Sequence, residues 1–302
     1  AKYTYHVLMA DTDECIPGYS RLVDAIHEGG TVAFGQLLHP GREIMQSQEG
    51  SLPVSLSASA VPNERFRVMP RAMPVTLIRE VIDGFGDAAA RLERAGVDGV
   101  ELVASHGYLP AQFLHPRVNI RTAEFGGSLQ NRLRFLRESI DAVRSRVGDR
   151  IAVGLRISVD EASHDGHETD DVLAALALLD SDGTLDYVST VVGSSATLAG
   201  SDHIAAPMFK DAAYVAPLLA PAKQILSIPV IATGRINQPQ EAEAILRAGQ
   251  ADAVGMTRAL ICDPLMPMKA ATGRAEEIRA CIGCNQACIG HFHLGYPISC
   301  IQ

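Results

Sequence analysis

The sequence predicts an α/β fold: a parallel sheet wound as a (β/α)8 barrel, followed by a short cysteine-rich segment. Three observations lead there. Six β-branched, nearly all-apolar runs alternate with amphipathic helical segments along 302 residues, the pattern of βα units whose strands are buried on both faces. No G-x-G-x-x-G turn follows any run, so the dinucleotide signature of an open doubly wound sheet is missing. Polar residues gather at the C-terminal ends of the runs, where barrel enzymes keep their chemistry.

Each element follows in order. The run Thr31–Leu37 contains Gln36 near its end, and the stretch from His39 to Pro74 behind it is rich in Pro, Ser and Gly. An aperiodic connection of about 36 residues is uncommon unless it covers an active site. Ile78, Val81, Ile82, Phe85, Ala89 and Leu92 fall at helical spacing and make one apolar face. Asp98–Val103 is followed by His106, and Ile151–Ile157 carries Arg156. Val172, Leu173, Leu176 and Leu179 form another helix face behind an N-cap expected at Thr169. Asp186–Val192 leads to Ser194, Pro229–Thr233 to Gly234 and Arg235, and Asp252–Met256 to Thr257 and Arg258. Pro239 and Gly249 bracket the last clear helix with the usual Pro-in, Gly-out asymmetry. These six runs read as strands three to eight of a barrel, the first two having no counterpart. Residues 1–272 are thus expected to form the barrel and 273–302 the cysteine-rich segment. The chain opens on Ala1 and closes at Gln302, and both ends read as cuts in a longer protein.

Composition narrows the function. Apolar residues at 47% and charged residues at 20% exclude a disordered chain. A net charge of −9 disfavours nucleic-acid binding, which needs clustered Lys and Arg. No uncharged apolar stretch reaches the roughly 18 residues of a membrane span, and no basic-then-apolar leader opens the chain. The expectation is a cytoplasmic globular protein, free to form a homo-oligomer.

Six cysteines occur, and four of them, Cys281, Cys284, Cys288 and Cys300, form C-x2-C-x3-C-x11-C. Four thiolates so spaced suit a tetrahedral Zn²⁺ or a [4Fe–4S] cluster, with disulfides the alternative in a secreted protein. His291 and His293 offer further donors that would suit zinc. Cys15 and Cys262 read as small buried residues.

Several segments together resemble the old yellow enzyme, or NADH:flavin oxidoreductase, superfamily. They are QLLHPGRE (Gln36–Glu43), the stretch from HGYLPAQFLHP to NRLRF (His106–Phe135), GLRIS (Gly154–Ser158), TGRINQP (Thr233–Pro239) and GMTRALICDP (Gly255–Pro264). The run CIGCNQAC is similar to that of the iron–sulfur branch, which contains 2,4-dienoyl-CoA reductase and trimethylamine dehydrogenase. The likeness extends in order over nearly the whole chain. It implies FMN at the mouth of a barrel with a [4Fe–4S] cluster beside it. It also implies a small-molecule substrate and an electron donor or acceptor, either an electron-transfer protein or a domain that takes FAD and NAD(P)H in a region absent from this chain.

Residue by residue, the resemblance implies that Gln36 pairs with the flavin pyrimidine edge and that Arg156 stabilises the anionic reduced ring near N1 and O2. Gly234, Arg235, Gly255, Thr257 and Arg258 would cradle the phosphate in the loops after the last two strands. Tyr108 matches a proton donor to the substrate carbon, and His106 a residue that faces the substrate. Of the other histidines, His39, His115, His164 and His167 read as structural or exposed, and His203 as the one with a further claim. The chain departs from the family at Ser194–Ser195, where an aromatic and a polar partner would be expected, and it has no Trp. The leading expectation is an FMN- and [4Fe–4S]-dependent reductase of an activated C=C bond. Oxidative demethylation of an N-methylated amine or amino acid is the alternative, and a zinc-stabilised barrel lyase the reading from another class.

Overall fold

A computed structural model describes residues 8–44 and 54–302. All six expected strands are present: β1 (Phe34–Leu37), then, beyond two short strands β2 (Leu56–Ser57) and β3 (Arg71–Ala72), β4 (Gly99–Ala104), β5 (Ala152–Asp160), β6 (Tyr187–Val192), β7 (Val230–Thr233) and β8 (Ala253–Gly255). The main sheet is parallel throughout, in the order β1-β4-β5-β6-β7-β8. It curls as a half-barrel whose edges, among the described residues, are β1 and β8. β2 and β3 pair with each other inside the segment expected to be an aperiodic loop; its residues 45–53 lie outside the described residues.

Successive side chains of a strand face opposite ways, and here the two faces differ in chemistry. Val100 and Leu102 of β4, Val153, Leu155 and Ile157 of β5, and Val230 and Ala232 of β7 are buried. They belong to one core with the apolar stripes of the outer helices. Those helices are α1 (Ile16–Glu28), α2 (Val75–Arg94), the short α3 (Leu109–Leu114), α4 (Leu129–Val147) and α5 (Thr169–Asp182). Then come α7 (Ala216–Ile225) and α8 (Pro239–Arg247), while α6 (Leu198–Ile204), α9 (Arg258–Cys262), α10 (Met266–Ala271) and α11 (His291–Leu294) add no residue to that core. Each fully buried Val, Leu or Ile contributes about 1.5–3 kcal/mol, so this outer face supplies the main driving force. No described helix is long and apolar enough to cross a membrane.

Two local readings change. Thr169 is the first residue of α5, not its cap, and no side chain caps the Glu168 position before it. Arg156 sits inside β5 rather than at its end, because the strand runs on to Asp160.

Candidate active site and cysteine cage

The opposite face of the sheet is polar. Gln36 Nε2 donates to Glu101 Oε1 at 2.6 Å, and Arg156 Nη1 donates to Ser189 Oγ at 2.9 Å. Tyr187 hydrogen-bonds Glu101, and burial, reinforced by that carboxylate, pushes its phenol above the usual range. Burial also lowers the Arg156 guanidinium, while Glu101, Tyr187 and Tyr108 hold it charged. Glycines make room for this wall. A Cβ on Gly154 would lie 2.1 Å from Tyr187 Cζ, and one on Gly99 would meet the Phe34 ring at 2.8 Å.

At the C-terminal end of β4 the chain turns through His106 and Gly107, both at positive φ (59° and 78°). A non-glycine residue there is uncommon and is held by its surroundings. His106 N donates to Ser158 Oγ at 2.9 Å, and its carbonyl accepts from Ser195 N at 3.0 Å. Its Nδ1 lies 3.3 Å from Gly193 O. Burial first, and then the charge on Arg156, lower the imidazole to about 3. A neutral ring facing a carbonyl through Nδ1 carries its proton there, leaving Nε2 as an acceptor. The Tyr108 ring stands edge-on to His106, with centroids 6.3 Å apart.

Beneath this turn lies a buried polar network for which sequence reasoning assigned no role. Glu43 is fully buried and accepts from Asn63 Nδ2 (2.7 Å) and Ser195 Oγ (2.8 Å). Burial pushes its carboxyl up to about 7, against the pull of Arg42. Glu161 is also buried and raised, with His115 Nε2 at 3.4 Å and His167 Nε2 at 3.8 Å. Burial lowers each of these histidines to about 4. The two departures at Ser194 and Ser195 therefore find partners: Ser194 bonds Glu161 and Ser195 bonds Glu43. A lone GRE triplet was the only sequence signal for Glu43. His203 contacts Tyr214 Oη (2.8 Å) and Lys210 Nζ (3.2 Å).

The loops after β7 and β8 bring the remaining expected residues together. Gly234 and Arg235 both have positive φ (149° and 53°). Arg235 Nε donates to Lys210 O at 3.0 Å, while its Nη1 is buried with no hydrogen-bond partner among the described residues. Thr257 precedes α9 after Gly255. Arg258 donates to Ala206 O (2.8 Å) and to Asn285 Oδ1 (2.6 Å), so it reaches into the cysteine-rich segment. An orphaned guanidinium nitrogen between glycine-bearing loops fits an anionic group such as a phosphate.

Cys281, Cys284, Cys288 and Cys300 line one cavity together with Arg258 and Ile261. Left-handed turns at Gly283 and Asn285 bend the segment around it. The only His, Cys, Asp or Glu donors that gather three together within 4.8 Å, among the described residues, are Glu64, His164 and Asp165. Tetrahedral zinc, with Zn–S of about 2.3 Å, would bring its four sulfurs to about 3.8 Å of one another. No three of these four sulfurs gather within 4.8 Å of one another, a wider setting than zinc requires, and the all-thiolate donors fit an iron–sulfur cluster. His291 Nδ1 instead pairs with Pro297 O at 2.9 Å.

Comparison with known proteins gives this arrangement a lineage. A metal reductase of Desulforamulus reducens is 37% identical over 297 residues, covering 98% of this chain and 43% of that protein. An N,N-dimethylglycine/sarcosine dehydrogenase of Chromohalobacter salexigens is 37% identical over 292 residues, covering 96% and 42%. The solved structure of a 2-naphthoyl-CoA reductase superposes with a TM-score of 0.87 at 29% identity, covering 96% of this chain and 45% of that one. The chain thus spans less than half the length of each. The sequence pattern of flavin oxidoreductases matches residues 4–277, taking in all six strands and the loops at their mouth, and the chain belongs to the NADH:flavin oxidoreductase / NADH oxidase family.

Proposed function

We propose that this chain holds FMN against the polar face of the sheet and a [4Fe–4S] cluster in the cysteine cage, and that it reduces an activated C=C bond. The observation that carries the reading is the convergence of Tyr108 and His106 on Arg156 at one end of the sheet. FMN supplies hydride transfer when bound; the residues supply charge, orientation and a proton. Arg156, buried and held charged by Glu101, offsets the negative charge that reduction leaves on the pyrimidine edge. Gln36 spends one of its two amide N–H groups on Glu101, so the other N–H and Oε1 remain to pair with the ring. Tyr108 donates the proton that the second carbon of a reduced C=C bond requires, since a phenol stays protonated at neutral pH. His106, neutral with an accepting Nε2, orients the substrate. Gly234, Arg235, Gly255, Thr257 and Arg258 hold the phosphate. NAD(P)H, or a reduced electron-transfer protein, would supply the electrons, and Cys281, Cys284, Cys288 and Cys300 would hold a cluster able to carry them one at a time.

Similarity to the dimethylglycine/sarcosine dehydrogenase favours a second reading, oxidation of an N-methylated amine or amino acid. Tyr108→Phe separates the two. An enoyl reductase should lose roughly 10²–10⁴-fold in the substrate half-reaction while flavin reduction by the donor stays near normal. An N-methylamine oxidase needs no carbon protonated, and the variant should mainly raise KM. Stopped-flow measurement of each half-reaction reads this out, and an undiminished rate with an enoyl substrate removes Tyr108 from the chemistry.

A further inference from the structure

Helix α9 begins at Arg258 and ends at Cys262, one turn later on the same face. Arg258 and Ile261 line the four-thiol cavity. Cys262 is not among its lining residues; it is 2% exposed and hydrogen-bonds the sulfur of Cys300, which does line it. A fifth thiol thus stands directly behind one of the four, and nothing in the proposed reaction employs it.

We infer that Cys262 is a positioning residue of the cysteine cage, its S–H donating to Cys300 Sγ so as to hold that thiolate and stabilise the charge that reduction adds. The inference rests on the iron–sulfur reading of Cys281, Cys284, Cys288 and Cys300. A sulfur that ligates metal has given up its proton. Between Cys262 and Cys300, only Cys262 then keeps a hydrogen, and the direction of the bond is fixed. Hydrogen bonds to cluster sulfurs and nearby charge are the protein's main means of setting a cluster's potential, and donors behind the ligands also keep them in place. Arg258, across the same face of α9, acts in the same sense through its charge. Removing the Cys262 donor should therefore disfavour the reduced, more negative cluster and lower its midpoint potential. The Cys262 backbone belongs to the helix that follows β8 directly, so the thiol also ties the end of the sheet to the far end of the cysteine run.

The test uses the whole chain, purified without oxygen, as wild type, Cys262→Ala, Cys262→Val and Cys262→Ser. Iron and acid-labile sulfide are counted first, and the cluster midpoint is then titrated with EPR detection. Wild type and variants should hold the same iron. The Ala and Val variants should titrate at lower potential, and Ser, which keeps an O–H donor, should recover part of the loss. Val fills the volume without a donor, so the comparison survives if Ala loosens the fold. Equal midpoints in wild type, Ala and Val would overturn the inference. So would loss of iron from the Ala, Val and Ser variants alike, which would make Cys262 a ligand. A wild type without iron would instead sink the iron–sulfur reading itself, and that result appears before any variant is compared.

Discussion

Glu43 shows what a single buried carboxyl can do to the mouth of this sheet. It bonds Ser195, and Ser195 bonds the carbonyl of His106, whose backbone sits at positive φ. The turn that carries His106 and Tyr108 is therefore held in part by a group whose pKa burial raises to about 7. The unfolded carboxyl titrates near 4.5, so the native state binds the extra proton between those values. This contribution to stability is fully present below about pH 4.5 and is lost as pH rises through about 7. Neighbouring His106, His115 and His167 are lowered by burial and act in the opposite direction below pH 6.5, and Glu161 is raised like Glu43. Arg42 stays beside Glu43 throughout, its Nε 3.6 Å from Oε1. Subtracting the stability of Glu43→Gln from that of wild type cancels most of the neighbours' share. The difference should fall with pH by roughly 3 kcal/mol across that window. Urea unfolding of both proteins from pH 4.5 to 8 gives the curve, and a flat difference would show that Glu43 ionises normally. None of this was legible beforehand. Glu43 and Ser195 are 152 residues apart, and no periodicity or motif announces a hydrogen bond over that distance.

The elements themselves were far more legible, because strand and helix periods are local. Each of the six runs became a strand, shortened at its N-terminal end where the expected run included loop residues. The mini-sheet of β2 and β3 leaves no mark in the sequence, since two-residue strands carry no period. Within α2, two glycines two positions apart give a contrast that periodicity alone predicts. Gly84 faces solvent, and a Cβ there meets nothing within 4 Å. Gly86 is buried against α4, and a Cβ there would lie 2.8 Å from Ala142 O. Gly84→Ala should stabilise the protein by about 0.5–1 kcal/mol through the lower backbone entropy of the unfolded chain. Gly86→Ala should destabilise it by about 1–3 kcal/mol, because α2 and α4 must move apart. Thermal unfolding of the two variants should shift in opposite directions; equal shifts would mean that α2 does not pack on α4 through Gly86.

At the scale of the molecule, the cysteine cage and the loops after β7 and β8 behave as one unit. Arg258 bonds Ala206 and Asn285, and Asn285 Nδ2 bonds Ala205 O at 2.6 Å. Arg235 bonds the carbonyl of Lys210 and packs on Gly283, where a Cβ would lie 2.6 Å from its Nη1. Motif resemblance assigns both arginines to the phosphate loops, but a motif carries no sign that the same guanidinium groups also brace the cysteine run. Their dual contacts couple the two cofactor sites that we propose. A cluster held by Cys281, Cys284, Cys288 and Cys300 would cross-link residues 281–300 and so fix Asn285, which bonds Arg258. Cys284→Ala should lose the cluster, free Asn285 and leave Arg258 without its second anchor. A misplaced arginine forfeits a charge-assisted phosphate contact of about 1.5–3 kcal/mol, or roughly 10–100-fold in FMN affinity. Absorbance and iron analysis after dialysis should show FMN leaving the variant together with iron, while the far-ultraviolet circular dichroism of the half-barrel stays unchanged. FMN fully retained by an iron-free variant would mean that the sheet holds the flavin without help from the cysteine cage.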